Sequence, residues 1–120
     1  VRVSNDYHLQ PDQWKIGVTS HLANALGLAP SKDTFWTTVE QAGNSYGKTE
    51  PYPSLQGAVS TLSKGPVGPG DKIDGTNRTL LMRCCNEDGL ILKPSKPARA
   101  IDEQIMEVIE NIEFKLTLIY

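Results

Sequence analysis

The chain lacks any long apolar run. No stretch reaches the roughly 18 consecutive apolar residues of a membrane-spanning helix, so no span is expected. It also lacks an excess of basic residues. Twelve Lys and Arg face 14 Asp and Glu, a formal charge of −2, and the basic residues are scattered. Nothing favours the neutralisation of many phosphates, so no nucleic-acid partner is expected. Cysteine is scarce, with Cys84 and Cys85 side by side and no others. Disulfide geometry disfavours so short a link, which excludes a disulfide scaffold and says little about redox compartment. The cysteines touch and His8 and His21 are 13 residues apart. Structural zinc sites use paired ligands with short gaps, so no metal is expected, and no cofactor either. Residues Gly65 to Gly70 lack the Gly-Lys-Ser/Thr ending of a phosphate loop, and their prolines remove N–H donors. Ser20 beside His21 is no triad, and no nucleophile elbow is present.

What is there reads as one domain or part of one. At 120 residues the chain is too short for a complete eight-unit α/β barrel, which needs roughly 250. Gly and Pro supply 18 positions, so the fold should be rich in loops. The spacing predicts a helix over residues 11–27, opened by Pro11 and stopped by Gly27 and Pro30. Its apolar face would carry Ile16, Ala23 and Leu26, widened by Trp14, Val18, Leu22 and Ala25. A second helix is predicted over 54–63 with Leu55, Ala58, Val59 and Leu62 inward. Thr76 or Asn77 would cap a third, carrying Leu80, Leu81, Cys84 and Cys85. The β-formers of 34–39, a short buried segment around Val67 and Leu90-Ile91-Leu92 read as strands. The end of the chain changes character: residues 100–120 hold one basic and five acidic groups. Ile101, Ile105, Val108, Ile109 and Ile112 form a helical stripe, and the alternation from Phe114 to Tyr120 predicts a terminal strand.

Five runs carry a resemblance. Trp14 to Ser20, Leu26-Gly27-Leu28-Ala29-Pro30 and Lys32 to Thr38 resemble the late part of an uncharacterised glycoside-hydrolase-like family of animal proteins. Gly65-Pro66-Val67-Gly68-Pro69-Gly70-Asp71-Lys72-Ile73 and Asp88 to Pro94 are similar to the same family, and more distantly to raffinose synthases and α-galactosidases. The resemblance spans about 90 residues and implies an α/β fold: a partial (β/α)8 barrel fragment, or the same residues repacked as a small α+β domain with a C-terminal helix and strand. Residues 1–98 would be the late barrel-like part with the start of a β-rich extension. Residues 99–120 would be the acidic amphipathic helix and terminal strand.

The resemblance places Asp71 at the rim of a sugar pocket, with Lys72 beside it. Trp36 would stack on a sugar face while Asp33 accepts hydroxyl hydrogen bonds. The competing reading makes Phe35 and Trp36 core residues, Asp33 a turn cap and Asp71 a loop anchor. Glycoside hydrolysis needs two carboxyl groups at a set separation, and no local spacing singles out a pair. The expected function is therefore a non-catalytic fragment of a glycoside-hydrolase-like protein, with carbohydrate as its ligand. The alternative is a protein-interaction or structural module that binds a partner, or itself, through the acidic C-terminal helix. Asn77-Arg78-Thr79 matches an N-glycosylation acceptor and tilts the expected setting toward the secretory route.

Overall fold

The computed structural model describes residues 1–9, 16–45, 47–99, 101–103 and 106–107. The helices with both ends among the described residues are, in order, α1 Gly17–Ala25, α2 Pro53–Leu62 and α3 Arg78–Leu81, the last running into a 3-10 turn at Met82–Cys84. Pro53 opens α2 in the first turn, where its missing N–H is no loss. Asn77 caps α3, its Oδ1 accepting the N–H of Leu80 at 3.1 Å. Lys93 closes the other end of α2 by donating from Nζ to the carbonyls of Ser60 and Thr61 at 3.2 and 3.3 Å. An ammonium there meets the negative end of the helix dipole.

The α/β expectation is overturned. Among the described residues there is no strand and no sheet, and no barrel. Two isolated parallel bridges, Arg2 with Ser31 and Phe35 with Pro69, are all the β pairing present there. Extended residues 1–3 lie beside 29–31, with Val3 N–H donating to Ser31 O at 2.9 Å and Ser31 N–H to Val1 O at 2.8 Å. On the other side Gly65 N–H donates to Pro30 O at 2.7 Å, and Gly70 N–H to Phe35 O at 2.8 Å. Pro30, Pro66 and Pro69 have no N–H, so no ladder extends from these points. Leu90-Ile91-Leu92 is not a strand either, and Leu90 and Leu92 are exposed. The expected terminal strand, and Trp14, lie outside the described residues. So does most of the acidic helix, of which Asp102, Glu103, Met106 and Glu107 are described as helical.

The small apolar core centres on Phe35, which is fully buried. Gly57 of α2 sits against it: a Cβ there would stand 3.8 Å from Phe35, Leu80 and Cys84 alike. This contact packs α2 on α3 and the 3-10 turn. The apolar face predicted for α2 is not the buried one, and that predicted for α1 is buried only at Ile16 and Ala23 among its described residues. The interior side of α1 is Ser20 and Ala23; that of α2 is Gln56, Gly57 and Ser60. Val18, Leu22 and Leu26 are 62, 60 and 68 % exposed, and Leu55 and Leu62 also face outward. The helices are packed with their small and polar residues inward.

Gly65 is required where the extended segments touch. A Cβ at this position would lie 2.3 Å from Ser31 Cβ and 3.0 Å from Pro30 O. Relief needs backbone movement, so Gly65→Ala should cost about 1–3 kcal/mol. A urea midpoint that falls with an unchanged slope is the expected result; an unchanged midpoint would contradict this contact.

Candidate functional site

The molecule's interior holds a polar cluster that begins at Glu50. This side chain is fully buried. Its Oε2 accepts from Tyr7 Oη at 2.6 Å and Gln56 Nε2 at 3.0 Å, and its Oε1 from Tyr52 N–H at 2.9 Å. The Tyr7 hydroxyl also accepts the N–H of Trp36 at 3.1 Å. One carboxylate thus ties together the N-terminal segment, the Phe35-Trp36 segment and the start of α2. Burial, and then the bond to Glu50, push the Tyr7 phenol well above its usual range. Tyr7 is a fixed donor here and no base.

Lys32 is buried beside this cluster. Its Nζ donates to the carbonyls of Asp33 and Thr34 at 3.1 and 3.3 Å. It also lies 5.2 Å from the centre of the Tyr7 ring and 5.4 Å from that of Phe35, within cation–π range. Burial brings its ammonium down to about 8, partly offset by the charges of Asp33 and Glu50. Gln56 Oε1 and Ser60 Oγ are buried without a hydrogen-bond partner.

A cleft of about 750 Å³ opens above the cluster. Tyr7, His8, Trp36, Gln41, Lys48, Asp71 and Lys72 are among its walls. Three of the residues expected at a site, Asp71, Trp36 and Lys72, therefore meet there. Asp33 does not line it. That carboxylate accepts from the N–H groups of Thr34 and Tyr7 at 2.9 and 3.0 Å and pairs with Arg2 at 3.1 Å. Burial pushes Asp33 up, but these N–H bonds and the charges of Arg2 and Lys32 outweigh it and hold the carboxyl below its usual range. Asp71 is committed as well. Oδ1 accepts from Thr37 N–H at 2.7 Å and Gln41 Nε2 at 2.9 Å, and Oδ2 from Thr37 Oγ1 at 2.7 Å. Asp71 is an anchor that holds residues 70–72 to 37–41. Asn77 lies elsewhere, exposed at the start of α3 beside Thr79, with its N–H donating to Thr37 Oγ1 at 2.7 Å.

No three His, Cys, Asp or Glu side chains among the described residues are placed to hold a metal ion. No described helix is long and apolar enough to cross a membrane. No protein-family model matches the chain, and neither a curated protein nor a solved structure matches it. The resemblance to glycoside-hydrolase-like proteins is thereby corrected: no match supports it and no barrel is present to carry it. The reading as a hydrolase fragment that supplies carbohydrate-pocket residues falls with the fold it required. Short Gly/Pro runs arise in any rigid loop, and here they mark where extended segments touch. Tyr7, Gln41, Glu50 and Gln56 escaped the sequence reading. Each is an isolated polar residue in a loop or helix, and only tertiary packing makes them partners.

Two outcomes follow from the cluster. Glu50→Ala removes the acceptor of one buried and two part-buried hydrogen bonds and should cost at least about 2 kcal/mol in denaturant unfolding; a loss below half of that would contradict its central role. The second concerns pH. Between about 8 and 10.5 the unfolded chain keeps the Lys32 proton that the folded chain releases, so stability should rise with pH. Above about 10 the unfolded Tyr7 phenol ionises while the folded one stays protonated, so stability should fall. Unfolding measured across this range should peak between the two limbs. Lys32→Met should flatten the rise and Tyr7→Phe the fall; no rise above pH 8 in the native chain would contradict the burial of Lys32.

Proposed function

We propose that this chain is a protein-interaction or structural module that docks through the outward side of α1. The observation that carries the reading is the stripe Val18, Leu22 and Leu26, exposed at one-turn spacing. Neither α1 nor α2 contains a charged residue in its 9 or 10 positions. Solvated helices carry charges on their outer faces, whereas the cores of interfaces are depleted of them. The start of the acidic segment adjoins this face. Val18, His21, Arg99, Ile101 and Asp102 share a depression of about 390 Å³, where Arg99 meets His21 Nδ1 at 3.1 Å. The acidic segment would flank the apolar contact and select its orientation.

The occupant must bring an apolar, uncharged surface, because a charge placed on this stripe would be buried without a partner. A second copy of α1 supplies such a surface, in a two-fold contact. Covering three side chains gains roughly 4 kcal/mol, while association costs at least as much. The contact therefore needs neighbouring apolar groups such as Ile101, and it should be weak.

Sedimentation equilibrium provides the test. The mass-average should climb above the 13.2 kDa monomer as concentration rises into the range of roughly tens to hundreds of micromolar. Leu22→Glu should return it to the monomer with an unchanged circular dichroism spectrum, since Leu22 is exposed. A native chain that stays monomeric throughout, or a Leu22→Glu chain that still associates, would overturn the reading.

A further inference from the structure

The cleft above the buried cluster has a charge pattern that does not depend on the α1 face. Lys48 and Lys72 both line it, and His8 joins them. Neither lysine pairs with a carboxylate among the described residues. The acid in the lining, Asp71, has both oxygens taken up by Thr37 and Gln41. The cleft therefore carries two ammonium groups and one carboxylate, whose oxygens are turned to Thr37 and Gln41.

One turn fixes both cations' backbones. Gln41 Oε1 accepts the N–H of Lys72 at 3.0 Å. Asn44 Nδ2 donates to the carbonyl of Lys48 at 2.5 Å, and Asn44 N–H donates to Gln41 O at 3.1 Å. Gln41 is itself held by Asp71 and by Thr38. Residues 41–44 thus set Lys48 and Lys72 on one mouth, and Lys72 Nζ lies over Gly43, 3.6 Å from where a Cβ would stand. The aromatic residues Tyr7 and Trp36 form part of the same lining. Its volume lies within the roughly 300–1,000 Å³ of small-molecule sites.

We infer that this cleft binds a small phosphomonoester with a flat, apolar body. Two ammonium groups outnumber the single carboxylate of the lining and favour the nearly two negative charges that a phosphomonoester carries at neutral pH. Lys serves phosphate as a point charge without the planar fork that carboxylates favour. Trp36 and Tyr7 offer the body of the ligand an apolar wall with polar edges.

Isothermal titration of the whole chain with phenyl phosphate, inorganic phosphate, benzoate and benzyl alcohol tests this inference. Phenyl phosphate should bind one to one and at least tenfold tighter than inorganic phosphate or benzyl alcohol, and at least fivefold tighter than benzoate. Lys48→Gln and Lys72→Gln should each weaken it at least fivefold. Trp36→Leu should abolish its advantage over inorganic phosphate. The Leu22→Glu chain should bind as the native one does, which keeps this result separate from association through α1. Binding of inorganic phosphate as tight as phenyl phosphate would show an adventitious anion only and overturn the assignment. So would benzoate binding equally well, no phenyl phosphate binding at millimolar concentration, or indifference to both lysine changes in chains that remain folded.

Discussion

The buried carboxylate of Glu50 is the interaction on which the rest of this structure depends. Three donors converge on it: Tyr7 from the N-terminal segment, Tyr52 N–H from the residue before α2, and Gln56 from within α2. A charge removed from water needs such donors to offset its lost hydration. The donors are satisfied only when the segments are in place, so the cluster rewards one arrangement of the loops over others. Lys32 adds a second buried charge nearby, held by two carbonyls and two aromatic faces. The apolar core around Phe35, Leu80 and Cys84 is too small to set the chain's course unaided.

This polar interior has a counterpart on the outside. Gln56, Gly57 and Ser60 face inward on α2 and Ser20 faces inward on α1, so the larger apolar side chains of both helices are left in solvent. The same inversion explains the reading as an interaction module and explains why a hydrophobic stripe pointed the wrong way. Periodicity locates an apolar face but not what that face meets. On α1 the stripe Val18, Leu22 and Leu26 is left exposed, with Val18 near Arg99 and Ile101, and on α2 Leu55 and Leu62 are exposed. The core face is made instead from residues small enough to approach Phe35 or polar enough to join the hydrogen-bond network.

The cleft draws on the same network without sharing the exposed helix face. Asp71 anchors its floor through Thr37 and Gln41, and Gln41 with Asn44 holds the two lysine-bearing segments. Trp36, Asp71 and Lys72 were singled out in the sequence through a resemblance that the fold overturns. Their meeting in one cleft did not follow from that. Gln41 and Tyr7 gave no signal, since an isolated amide or phenol looks the same on a surface as in a network. The Gly-Pro run at 65–70 marks where Gly65 closely approaches Pro30 and Ser31. Its assignment to a barrel strand was not sound, because proline deletes the donors from which a ladder would be built.

The sequence by itself determined the local features. Asn77 sets a helix start, Gly27 permits a left-handed turn after α1, the prolines of 65–70 deny a central ladder strand there, and the composition excludes a disulfide framework. These depend on the geometry of one residue and its near neighbours, so they can be read without knowing the fold. Tertiary structure decided which face of each helix is inside, that Glu50 and Lys32 are buried, and that Asp71 is an anchor with its oxygens occupied. Those outcomes rest on partners tens of residues away in the chain, and the energy of burying a polar group depends on whether that partner is there.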